Sequence, residues 1–150
     1  MLALTFQIDE SWVALDVRRI SLVVPHVPLE RSLGGPTWVA GVFVYAQLVV
    51  PVVDVQKLLG AGHCPPVLSS RIILVPWPTA EAATGWLGLL ASHVSEIREL
   101  APPPALPTAP SAKPELGPAL LSDGKVFRWI DLDSLLPPPL REELAGVHPA

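Results

Sequence analysis

Nineteen prolines and ten glycines cut this 150-residue chain into short runs of β-branched and aromatic residues. That punctuation restricts the fold more than any other feature. Proline has no amide hydrogen for a helix interior or a central strand, whereas Val, Ile, Trp, Phe and Tyr suit a pleated, half-buried surface. Regular short strands with turn residues between them predict an all-β barrel or sandwich.

The strands are read in order. Leu2–Ile8 and Trp12–Leu15 form a hairpin around Asp9-Glu10-Ser11. Asp16 can cap a helical turn over Val17–Ile20. Ser21–Val24 is a third strand, stopped by Pro25. Pro25–Pro36 is a loop with a Gly34-Gly35 pair. Trp38–Tyr45 and Leu48–Val53 flank an Ala46-Gln47 turn, and Pro51 belongs at a bulge or an edge. Asp54 can cap a helix over Val55–Leu59, ended by Gly60. After a loop at Gly60–Ser70, Arg71–Val75 has no polar face and is expected to be central. Pro76–Thr84 is a connection. Trp86–Ala91 and Val94–Leu100 are read as two separate strands. Ala101–Pro118, rich in Pro and Ala, is a surface excursion. Leu120-Leu121 leads through Ser122–Lys125 into a last strand, Val126–Asp131. Pro138 and Pro139 open a helix over Leu140–Leu144, ended at Gly146. The total is nine or ten strands with three small helical pieces, in two groups of about five divided at Gly60–Ser70.

The length suits one compact domain, or two small subdomains sharing a core. Half the residues are hydrophobic and only 16% are charged, with a mean hydropathy of +0.45. So small a chain must expose part of that apolar surface, which points to interaction faces. The net charge is -4, and Arg18-Arg19 is the nearest approach to a basic cluster. Nucleic-acid binding needs a basic stripe and is excluded. One cysteine, Cys64, permits no internal disulfide and suits a reducing compartment. Met1–Phe6 lacks a signal-peptide pattern, and the apolar stretch Trp38–Val53 is too short and too interrupted to span a bilayer. Any membrane location is expected to come through a partner.

Catalytic and metal chemistry finds little support. Asp54 is read as a cap rather than a catalytic carboxylate. His63 and Cys64 are adjacent, with no second pair at metal-ligand spacing, and stand in a Pro/Gly loop. His26, His93 and His148 are scattered. Ser92-His93 with Asp54 forms no triad pattern, and no glycine-rich phosphate loop is present. Neither a catalytic residue, a metal nor a cofactor is expected. Trp12, Trp38 and Trp86 are assigned to the core and Trp77, between two prolines, to the surface; Trp129 is left open.

Pro36-Thr37-Trp38-Val39-Ala40-Gly41-Val42, followed by Val49-Val50-Pro51-Val52-Val53-Asp54-Val55, resembles the signature of the CheW domain family. The Phe6-Gln7-Ile8 hairpin with Ala14–Val17 is similar to the family's opening. Leu87-Gly88-Leu89 before Val94–Ile97 is similar to its second half, and Trp129–Leu132 with Leu135-Leu136 to its close. The resemblance covers nearly the whole chain, and the ordered set is more specific than any one piece. It implies two five-stranded SH3-like barrels on a shared apolar core, in a single domain over residues 1–150. It also implies a non-enzymatic cytoplasmic adaptor that couples the tip of a chemoreceptor to the regulatory domain of a CheA-type histidine kinase. The positions implied for the receptor are Ile20, Leu22, Ile72, Ile73, Val94 and Ile97; those for the kinase are Leu29 and Gly41. Ile72 and Ile73 must point to opposite faces of a strand, so at most one of them faces a given groove.

The chain departs from the family pattern at one hairpin. Typical members read Asn, Leu, Arg, Gly where this chain has Val44, Tyr45, Ala46 and Gln47. A frequent Glu on an earlier strand is here Leu22. Both halves of an ion pair are absent, so no lone charge is left buried, and the partner surface becomes more apolar. In this respect the chain looks more like coupling proteins of surface-sensing (Wsp-like) pathways than like a swimming-chemotaxis member. Two rival expectations remain: a similar scaffold with a different partner, and a small β-barrel enzyme using Asp54, His93 or Cys64.

Overall fold

The computed structural model describes residues 1–31, 35–65, 67, 69–78, 84–104 and 113–147. Gly34, the tip of the connection at 79–83, the middle of the Pro/Ala segment at 105–112 and His148 lie outside them.

Among the described residues nine strands form: β1 (Leu2–Ile8), β2 (Ser11–Asp16), β3 (Leu22–Pro25), β4 (Val39–Tyr45), β5 (Leu48–Asp54), β6 (Arg71–Pro76), β7 (Trp86–Glu99), β8 (Ala119–Ser122) and β9 (Lys125–Trp129). A 3-10 turn covers Val17–Arg19, and three short helices follow: α1 (Val55–Leu58), α2 (Leu132–Leu135) and α3 (Pro138–Ala145). Aspartates set the starts. Asp16 accepts from the Arg18 amide, Asp54 from that of Lys57 and Asp131 from that of Asp133. Prolines open α3. Helix α2 escaped the sequence reading, which carried the last strand through Asp131; the strand ends at Trp129, and Asp131 is a cap.

The strands pair as two five-stranded groups that share β7. The first subdomain is ordered β7-β1-β2-β9-β8. The second is ordered β3-β6-β7-β5-β4. The two strands expected over Trp86–Leu100 are therefore one, and it runs through both subdomains. Ser92-His93, which looked like a break, is a bulge within it: His93 has φ +53°, and the β1–β7 register shifts beside it. Among the described residues neither group closes fully by backbone pairing. The second seam is spanned by a single bridge, Glu30 with Val42. In the first, Arg98 reaches Asp123 at 3.4 Å and lies over the Phe127 ring at 5.4 Å.

Strand alternation sends one face of each group to a common core. Leu4, Phe6, Ile8, Val13 and Leu15 of the first meet Val39, Val53, Ile73, Val75, Leu87 and Leu89 of the second, and the short helices add Val55, Leu58, Leu132, Leu135 and Leu144. The opposite faces fill separate interiors. Val50, Val52, Ile72, Leu74 and Leu90 line the second, and Ala3, Ala14, Leu100 and Trp129 the first. Gly88 makes the second interior possible: a Cβ there would stand 2.8 Å from Ile72 Cγ2 and 3.0 Å from Val52 Cγ2. Gln56 ties the halves together, accepting from the Asp9 amide at 3.1 Å and donating to the Ala61 carbonyl at 2.8 Å.

The tryptophans differ from expectation. Trp129 is the fully buried one, and Trp12, Trp38 and Trp86 are half-buried. Trp77 is not free on the surface: it packs against the shared core, and the Arg141 guanidinium covers its ring at 4.8 Å.

Candidate functional site: exposed apolar residues where the subdomains meet

The implied receptor residues separate into two sets. Ile20 and Val94 are half-buried against the shared core and stand where the subdomains meet. Ile97 is 60% exposed and lies opposite Leu4 on the β1–β7 ladder. Leu22, at 41%, is exposed on β3. Ile72 and Ile73 are a correction: both are fully buried, Ile72 in the second interior and Ile73 in the shared core. They face opposite sides, and each side is filled by a packed core. Neither side chain can meet a docked partner without opening a core.

Two exposed residues of these faces were missed. Leu2 is 50% exposed and, by alternation from Leu4, shares its face with Ile97. Val23 is 37% exposed and pairs with Ile73 on the shared-core side of β3. Alternation from Leu4 could have indicated Leu2; Val23 needed the β3–β6 register. Beside this face the Arg18 guanidinium grips Asp16 through Nε and Nη2, at 3.1 and 2.9 Å from Oδ2. That contact holds the Asp16 carboxyl below its ordinary range.

The implied kinase residues, Leu29 and Gly41, are brought together, but for an internal reason. Glu30 and Val42 exchange two backbone hydrogen bonds of 2.8 Å. Gly41 between them is buried with φ +152°, and a Cβ on it would stand 2.5 Å from the Glu30 oxygen and 2.9 Å from Leu29 Cβ. The glycine therefore allows the Leu29–Glu30 segment to close on β4, and it presents no surface of its own. Leu29 is half-buried against the second interior. Beyond it, Ala46 (φ 48°) and Gln47 (φ 67°) form the hairpin turn, and Val44 and Val49 face each other across the strands, both exposed.

Asp54 and Cys64, the buried candidates for chemistry, have structural roles. Asp54 is buried, caps α1 through Oδ1 and accepts the Cys64 amide through Oδ2 at 2.9 Å. The Cys64 thiol is pushed up to about 11, chiefly by burial, so it stays protonated and poorly nucleophilic at neutral pH. His93 is exposed on the bulge. Among the described residues no group of three His, Cys, Asp or Glu could hold a metal ion, and no helix is long and apolar enough to cross a membrane. A cleft of about 320 Å³ at the end of the first subdomain is walled by Leu15, Ile130, Leu132 and prolines. Its two carboxylates are already engaged, Asp16 by Arg18 and Asp131 in capping α2.

Comparison with known proteins agrees with this architecture. The family model described as CheW-like domain matches residues 2–138. The crystal structure of the scaffolding protein TtCheW from Thermoanaerobacter tengcongensis superposes with a TM-score of 0.71 at 22% identity. The match covers 90% of this chain and 86% of that one, and shows a common fold. A search of curated proteins finds no match.

Proposed function

The chain belongs to the CheW-like domain family, and from that premise we propose that it is a scaffold coupling a chemoreceptor-type protein to a CheA-type histidine kinase. The observation that carries the proposal is the set of exposed aliphatic side chains, Leu2, Ile97 and Val23, on the faces turned toward the shared core; Leu22, paired with Leu74, is exposed on the other face of β3. An amphipathic helical hairpin at the receptor tip offers the matching apolar stripe. The second subdomain, through the surface near Leu29, takes the kinase regulatory domain. Holding both on one small body raises their effective concentration, and receptor state then biases kinase conformation. The scaffold would work in the cytoplasm, reaching the membrane only through its receptor.

Co-sedimentation tests this directly. Ile97→Asp places a charge in the apolar face and is expected to lower recovery with receptor-bearing membranes at least tenfold, while binding to the kinase regulatory domain persists. Leu29→Arg is expected to do the reverse. Loss of both contacts in either variant, with the fold intact by circular dichroism, would refute the assignment of separate surfaces. The exposed Val44/Val49 pair, in place of the family's polar hairpin, favours a second reading, in which the kinase-side partner is not a CheA-type domain. Parallel pull-downs against the receptor tip and the kinase domain separate the two.

A further inference from the structure

We propose that the Ser92–His93 bulge of β7 is the device that positions the docking face, with His93 as its positioning residue; this rests on the reading of that face as a receptor-docking site. Val94 and Ile97 are three positions apart, so an uninterrupted strand would send them to opposite faces. In the structure Val94 packs against the shared core, and Ile97 lies opposite Leu4, itself a shared-core residue. The bulge reconciles the two. Gln7 pairs with Ser92, but Thr5 pairs with Glu96, so residues 93–95 of β7 stand against Phe6 alone.

The register shows what the bulge changes. Extending the Gln7–Ser92 pairing without it would place Ser95 opposite Leu4, and Ile97 opposite Leu2. Ile97 would then sit two residues further along β1, about 7 Å from its present place. Val94 would pair with Thr5, on the face that carries Ala3 and the first interior. The docking face would lose one aliphatic side chain and have the other displaced. The bulge is fixed from both subdomains: Ser92 Oγ donates to the Gln7 carbonyl at 3.4 Å, Thr5 Oγ1 donates to the Glu96 carbonyl at 3.1 Å, and the Val94 amide donates to the Ser69 carbonyl at 3.2 Å. The geometry at its centre is φ +53° at His93, which Gly and Asn adopt readily and a β-branched residue resists.

Titration with a chemoreceptor-tip helical hairpin tests the inference. His93→Gly and His93→Asn are expected to bind within twofold of the parent chain. His93→Val is expected to bind at least tenfold more weakly and to keep its affinity for the kinase domain. Its NMR cross-strand contacts should change from Leu4–Ile97 to Leu4–Ser95. Retained hairpin affinity in a folded His93→Val protein, or an unchanged Leu4–Ile97 register, overturns the proposal. If His93→Val does not fold, Val94→Ser decides. It keeps the bulge and removes the re-aimed side chain, so a fivefold or greater loss is expected, and unaltered affinity overturns the proposal. A parent chain that does not bind the hairpin refutes the docking reading itself, a result distinct from a binding parent with a tolerant Val variant.

Discussion

At the residue scale, the hairpin departure costs backbone energy. Ala46 and Gln47 both have positive φ, a conformation that is easy for glycine and costs other residues about 1 kcal/mol. Gln47→Gly is therefore expected to stabilise the protein by about 0.5–1 kcal/mol, read as a higher urea midpoint at unchanged slope. Cys64 predicts a pH effect of definite sign. Its thiol is raised from 9.0 to about 11 in the folded chain. The unfolded chain releases that proton first, so stability is full below pH 9 and declines as pH climbs toward 11. Solvent screening at this incompletely buried site holds the loss to about 1–2 kcal/mol. Urea midpoints at pH 8 and pH 10.5 check this, and a Cys64→Ser protein should show the smaller decline.

At the element scale, Gly41 gives the firmest expectation. Gly41→Ala must push the Leu29–Glu30 segment off β4 or strain a φ of +152°. It should cost about 2–4 kcal/mol, seen as a lower melting temperature with the strand content retained. Elements with local causes were legible in the sequence. β1, β2 and the β4–β5 hairpin follow from alternation and turn residues, and α1 from its Asp54 cap. What escaped has tertiary causes. Ser92-His93 is polar and looks like a turn, yet partners on both sides hold β7 together through it. α2 is a single turn, too short for periodicity to register. The burial of Ile72 and Ile73 depends on a core on each face of β6, and Trp77 is half-buried because it packs on the shared core beneath Arg141. For the proposed docking face, Ile20, Leu22, Val94 and Ile97 rest on the family resemblance alone; Leu2 follows from alternation with Leu4, whereas Val23 needs the β3–β6 register.

At the scale of the whole molecule, one core serves both subdomains and β7 belongs to each, so neither should melt alone. Trp129 is buried in the first subdomain and Trp86 packs on the second. Fluorescence of single-Trp variants retaining one or the other should coincide with far-UV circular dichroism in one transition; two separated midpoints would contradict this. Charge is uneven too. Between residues 20 and 92 only Glu30, Arg31, Asp54, Lys57, Arg71 and Glu81 are charged, three of each sign. An association made through the second subdomain should therefore vary less than about twofold in affinity between low and high salt, as titration calorimetry can record.

A strand counted in both subdomains also makes the protein indivisible. Any fragment ending inside β7 leaves one half a strand short, with an apolar interior open to water, so such pieces should aggregate rather than reassemble when co-expressed. Recombination that grafts one half onto a foreign relative has to carry the whole of this strand across, and its crossover points are confined to the loops outside it.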